Sequence, residues 1–177
     1  MTAATIEQPL SYPVDEELLA RVLRAYKPNC RYLTDMTIDD EDGQVRGFAE
    51  FAIGESCYIE DTGHLNAVEV NIAYNQMLYY LIATSVRERL IPVFADWTMA
   101  EFWRRQLPDI LITKLTTRFR GPIDRSRFFG QFDLRYATQR KLTRTGPALI
   151  ALDTGFRFWD GRGGRADGEA TIAVSES

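Results

Sequence analysis

The chain has 177 residues, of which 45% are apolar, 12% aromatic and 26% charged, the composition of one soluble globular domain. Folding at this length takes roughly 70% of the unfolded chain's surface out of water, so no disulfide, metal or cofactor is needed to hold it together. Twenty-one Lys and Arg against 25 Asp and Glu leave a net charge of −4, which excludes a general nucleic-acid binder and confines any acidic partner to a local basic patch.

In chain order, the start is polar and lacks a basic region followed by an apolar core, so residues 1–14 read as a flexible N-terminus without a signal peptide. That places the protein in the cytoplasm, where Cys30 and Cys57 stay reduced. One domain is expected over 15–177. Glu16 and Glu17 sit where a helix dipole favours acids, and Leu18, Leu19, Val22 and Leu23 share one helical face, so a short amphipathic helix ends before Pro28. The charged run from Asp39 to Gly43 predicts a turn joining strands over 32–38 and 44–53. Asn66 with Glu69 three residues on resembles a capping box, and apolar residues then cover nearly every face up to about Leu90, where Arg87, Glu88, Arg89 and Pro92 stop the helix. A helix apolar all round must be wrapped by other structure. Its uncharged stretch, Val70 to Val86, is too short and too polar to span a bilayer.

After a second short helix at about 98–106 the chain is strand-like: Ile110, Ile112, Leu115 and Phe119 lie in one run, then Phe128 to Tyr136, Ala148 to Trp159 and Ala170 to Val174. Gly121-Pro122, Gly146-Pro147 and Gly161 to Gly168 read as the turns between them. One buried helix followed by antiparallel strands is an α+β plan in which a curved sheet wraps a central helix, the hotdog architecture.

The reactive groups concentrate just ahead of that helix, between Gly54 and Asn66. A helix N-terminus offers unpaired N–H groups to an oxyanion or a thioester carbonyl. His64 is the only histidine and reads either as a general acid or base or as an incidental loop residue. Asn66 and Glu69 read first as cap residues, and Tyr58, alternating with strand neighbours, as core. Two Cys and one His, with no CxxC or HxxxH pair, remove most zinc sites, so no metal and no cofactor is expected. The glycine pattern at 161–166 lies between strands and opens no helix, which argues against a dinucleotide site. Arg118, Arg120, Arg125 and Arg127 form the densest basic cluster, suited to a phosphate or an acidic carrier protein, with Arg118 and Arg120 on one strand face.

Composition and spacing stop there. The segments Cys30-Arg31-Tyr32-Leu33, Ile53-Gly54-Glu55-Ser56, Tyr58-Ile59, Thr62-Gly63-His64, Asn66-Ala67-Val68-Glu69 and Asn75-Gln76 resemble the FcoT-type family of hotdog acyl thioesterases from actinobacteria. Matches at Glu16 to Leu23, Arg118-Phe119-Arg120 and Phe158-Trp159-Asp160 extend the resemblance over about 15–170. The family includes long-chain acyl-CoA thioesterases and enzymes of isonitrile and β-amino-acid pathways that add glycine to an α,β-unsaturated acyl thioester on a carrier protein. The resemblance implies catalytic roles for Tyr26, Tyr58 and Asn66, with His64 inside the same motif. Asn29-Cys30 departs from the family, which carries a longer Cys-containing insert next to the residue matching Tyr26. Glu69, Arg118 and Arg120 are the candidate substrate-binding residues.

Two chemistries fit. In the first, favoured because a histidine suits amine deprotonation, His64 takes a proton from glycine and returns one to the α-carbon, with Tyr58 holding it or relaying the proton. The alternative is hydrolysis of an acyl-carrier or CoA thioester, with Glu69 activating water. The fold implies a homodimer.

Overall fold

The computed structural model describes residues 10–141 and 148–175. Seven strands, β1 (Leu10–Tyr12), β2 (Leu33–Glu41), β3 (Gln44–Phe51), β4 (Ile110–Gly121), β5 (Phe128–Lys141), β6 (Ala148–Trp159) and β7 (Arg165–Ser175), form one sheet. Three α-helices accompany it: α1 (Glu16–Val22), α2 (Ala67–Glu88) and α3 (Met99–Arg105). The strand order is β1-β2-β3-β5-β6-β7-β4, and every neighbouring pair is antiparallel. α2 follows β3, and the chain returns through α3 as the far edge strand, β4. This is the expected hotdog plan.

α2 forms where its sequence allows no other burial. Val70, Ala73, Met77, Leu78, Leu81 and Ile82 are fully buried, and the sheet meets them with Phe51, Phe128, Phe132 and Phe158. At closest approach β5 carries Gly130, where a Cβ would stand 2.8 Å from the Phe51 ring and 3.0 Å from the Met77 sulfur. Met77, Tyr80 and Leu81 all point into this core, as do Tyr74 and Tyr79. Tyr74 bonds Thr154 at 2.7 Å, and the Tyr80 hydroxyl accepts the Asp15 N–H at 2.9 Å.

Gln76 ties the N-terminal segment to this helix. Fully buried, it accepts the N–H groups of Tyr32 and Leu33, both at 2.9 Å, and donates to the Cys30 carbonyl at 2.6 Å. Gln76→Ala strands three backbone groups away from water at about 1 kcal/mol or more each, so a loss of about 3 kcal/mol or more is expected in denaturant unfolding.

Several boundaries differ from the sequence reading. Leu10–Tyr12, expected to lie within a flexible N-terminus over 1–14, instead form a strand, because Leu10, Ser11 and Tyr12 pair with Asp40, Asp39 and Ile38. β2 runs on through its acids to Glu41, leaving Asp42 and Gly43, at φ 53° and 80°, as the turn. The expected turn over Gly161–Gly168 is shorter, because Asp160 accepts the N–H groups of Arg162 and Gly164 and closes it, so that β7 begins at Arg165. Tyr58 lies outside every strand and is half exposed. Gly146-Pro147 lies outside the described residues. Among the described residues no helix is long and apolar enough to cross a membrane.

Candidate active site

The segment from Ala52 to Asn66 links β3 to α2 and is pinned to the turn after β4 at both ends. The Ile53 N–H donates to the Arg125 carbonyl and the Leu65 N–H to that of Ile123, both at 2.9 Å. The Arg125 side chain completes the clamp, with Nε on Asp61 at 2.9 Å and Nη1 on the Ile53 carbonyl at 3.3 Å. Asp61 also accepts the N–H of Gly63 at 2.7 Å, and Gly63 stands at φ 76°, where a side chain would be strained. The Arg125 guanidinium, and then the Gly63 N–H, hold the Asp61 carboxyl below the usual carboxylate range. This turn delivers His64 and Asn66 to the start of α2.

Asn66 is the junction of the site. Its Oδ1 accepts three hydrogen bonds, from Val68 N–H at 3.0 Å, Glu69 N–H at 3.1 Å and the Tyr58 hydroxyl at 2.9 Å. Glu69 completes the capping box by accepting the Asn66 N–H at 3.1 Å. With Oδ1 so occupied, the amide nitrogen faces the other way, and Nδ2 is buried without a partner among the described residues. Ser56 Oγ, in this segment, and Glu69 Oε1, at the helix start, are orphaned as well, and Tyr32 Oη, just ahead of β2, has Cys57 as a polar neighbour besides Glu69. Buried polar atoms nearly always find partners, and these are the groups that a ligand or an ordered water would satisfy here. Tyr32 faces Cys57 and Glu69, and burial pushes its hydroxyl far above the ordinary tyrosine range. Cys57 also faces Cys30, and both are free thiols.

The expected site residues fall into three groups. Tyr58 and Asn66 are bonded to each other, which makes Tyr58 an exposed partner of the cap rather than core. His64 is exposed and lines a hollow of about 370 Å³ with Asn66, Ala67 and Phe119, while Tyr58 and Arg125 line a second of about 750 Å³. Tyr58 bonds Asn66 and not His64, so it does not hold the histidine. Tyr58→Phe removes the bond that, with two backbone N–H groups, fixes the Asn66 amide. A fall in kcat of roughly tenfold with an unchanged melting temperature is expected, read by steady-state kinetics beside a thermal melt.

Tyr26 stands apart. Its ring packs 6.3 Å from that of Tyr79 and its hydroxyl faces Asn75, nine residues and about 14 Å along α2 from the cap. Burial, then Tyr79, pushes the Tyr26 hydroxyl up. Asn75 is the polar neighbour that sequence reasoning passed over, although it lies within the quoted Asn75-Gln76 motif. Glu69 is fully buried, with one oxygen accepting the Asn66 N–H in the cap and the other without a partner among the described residues.

Arg118 and Arg120 project from the face of β4 opposite the one where Phe119 meets His64's hollow. Arg120 grips Asp167 at 3.0 and 3.4 Å. The expected four-arginine cluster is therefore dispersed. Arg125 is the loop clamp, only 11% exposed, and Arg127 pairs with Glu50 at 3.1 Å. Reversing Arg125 would break the loop before it could report on docking.

Residues 21–174 match the model of the FcoT-like thioesterase domain. The chain is 50% identical over 159 residues, 90% of its length and 96% of the relative's, to a Streptomyces coeruleorubidus protein named (2E)-enoyl-ACP glycyltransferase. A Mycobacterium tuberculosis protein of the same name is 37% identical over 166 residues, covering 92% of this chain and 87% of that one. Among solved structures, a Shewanella oneidensis protein assigned as a thioesterase superposes with a TM-score of 0.51 at 10% identity, over 90% of this chain and 98% of that one, a likeness of fold alone.

Proposed function

The chain belongs to the FcoT-like thioesterase family, and we propose that it adds glycine to an α,β-unsaturated acyl thioester on an acyl carrier protein, giving a 3-(carboxymethylamino)acyl product. The observation that carries this reading is the 50% identity, over 90% of the chain, to a protein named for that reaction. The site supports it. The glycine nitrogen bonds to the β-carbon, the carbon–carbon π pair shifts to join the α-carbon to the carbonyl carbon, the C=O π pair moves onto the thioester oxygen, and the enolate then takes a proton at its α-carbon. When the thioester seats against the cap, Asn66 Nδ2–H, buried and without a partner among the described residues, donates to that oxygen as its charge grows. His64, on the rim of the same hollow, takes a proton from the glycine ammonium and returns one to the α-carbon. Hydrolysis would have to draw its base from Glu69, one of whose oxygens is committed to the cap.

β4 is a 12-residue edge strand with Leu111 and Phe119 exposed along it. Such an edge invites pairing, and we assign it to a second copy of the chain. The reaction is tested by mixing the protein with a crotonyl-loaded carrier and ¹⁵N-glycine. An intact carrier heavier by one labelled glycine is the expected product, and crotonic acid alone would return the chain to hydrolysis.

A further inference from the structure

The face of the sheet turned away from α2 carries a charge pattern that the chemistry does not use. Strand register aligns two rows of side chains across it. One row holds Glu50, Phe129, Trp159 and Arg165, and the next holds Phe48, Gln131, Arg157, Asp167 and Arg118. Phe129 and Trp159 stack at 6.0 Å, and the Arg127 guanidinium lies 5.6 Å over the Phe129 ring. Asp167 is the carboxylate around which these arginines gather. Arg120 takes both of its oxygens, Arg118 and Arg165 stand within electrostatic reach, and together they hold its carboxyl below the usual range. Arg157 faces it across the ladder.

Among the described residues Arg118, Arg157 and Arg165 make no ion pair. Asp133 and Glu169 line the smaller hollow too, but they are taken by Arg46 and by Lys114 and Arg135, which leaves Asp167 alone against Arg118, Arg120, Arg157 and Arg165 and a positive surplus on a chain whose net charge is −4. The surplus borders two hollows, of about 760 and 360 Å³, that share Arg157 and Asp167. It also lies at the reaction end of the molecule. Phe119, between Arg118 and Arg120, lines His64's hollow from the other side of β4, together with Gly121 and Pro122.

We propose that this outer face, centred on Arg118, Arg157 and Arg165, is where the acidic surface of the acyl carrier protein docks, its phosphopantetheine arm passing round the Gly121-Pro122 end of β4 to Asn66 and His64. The proposal rests on the carrier-thioester reading. Arginine suits the occupant, since its planar fork takes carboxylates and phosphate pairwise. The rest of this acidic chain repels such a partner, so the patch fixes where it lands.

The test reads binding of a fluorescently labelled, crotonyl-loaded type II acyl carrier protein by anisotropy, without glycine. Arg157→Glu with Arg165→Glu is expected to weaken binding about tenfold at low salt, with the difference from wild type shrinking toward about 1 M salt. Asp167→Asn, which removes the internal competitor, is expected to tighten it. Turnover of a crotonyl-pantetheine mimic stays near wild type in both. Carrier binding untouched by the double reversal overturns the proposal, and so does equal loss with the mimic. A change in molar mass by light scattering also overturns it, because the face would then belong to a second copy. Binding is read apart from chemistry. A wild type that binds the carrier through this face but forms no glycine adduct therefore sinks the reaction reading alone, whereas adduct formation with carrier affinity unmoved by the reversal sinks the docking surface alone.

Discussion

Asn66→Asp is expected to lower kcat by roughly 100-fold or more while keeping the helix cap, the dipole offsetting part of the cost of a buried charge beside Glu69. The substitution separates the two jobs of one side chain. Aspartate caps a helix as well as asparagine does, so its Oδ1 can still accept from the Val68 and Glu69 N–H groups and from Tyr58. A negative charge at the start of α2 also interacts favourably with the helix dipole. Only Nδ2 changes, from a buried donor without a partner to a carboxylate oxygen. Where the thioester oxygen should receive a hydrogen bond as it becomes an enolate, it would meet a like charge. Losing a single oxyanion donor typically costs 100- to 1,000-fold, and replacing it with an anion costs no less. Asn66→Ala serves as the contrast, losing the donor and the cap together, so its melting temperature should fall with about 1 kcal/mol of stability. Near-wild-type kcat in the aspartate variant would mean that the amide only caps the helix and that the carbonyl is polarised elsewhere.

The capping role of Asn66 was legible in the sequence because it follows a local rule: an N-cap residue with Glu three positions on, before a long apolar run. The second role was not. That Tyr58 spends its hydroxyl on the same oxygen depends on the path of an irregular loop, and that path is set by Arg125, some 60 residues away, which no periodicity records. The same limit explains the arginines. Spacing on one strand places Arg118 and Arg120 on a common face, and the structure keeps them there around Asp167. Arg157 and Arg165 join them only through the registers of β6 and β7, and Arg125 leaves them because its turn folds back over the loop. The long helix and its wrapping sheet were readable for the opposite reason. A helix that is apolar on every face, followed by repeated strand runs, has few ways to hide its surface. Strand ends were harder: Leu10–Tyr12 and the first residues of β7 are polar enough to read as loop, and ladder pairing alone makes them strand.

His64→Gln is expected to reduce glycine addition by roughly 100- to 10,000-fold with the fold intact, the range spanned by positioned acid–base groups. The fold should survive because the histidine ring is exposed. Its backbone carbonyl, which accepts the Thr62 hydroxyl at 2.8 Å, holds the turn in either variant. The catalytic case rests on place. His64 lines the hollow that Asn66 also lines, so an enolate held by the Asn66 amide presents its α-carbon toward that space. Glutamine keeps the size and polarity but cannot carry a proton between glycine nitrogen and carbon. Two readings separate the catalytic role from a merely polar one. The pH dependence of kcat/KM should lose a limb in the variant, and added imidazole should restore part of the rate while wild type ignores it. A variant within threefold of wild type would make His64 an incidental loop residue, and the proton would then pass from the ammonium to the α-carbon through water in the open hollow beside Phe119.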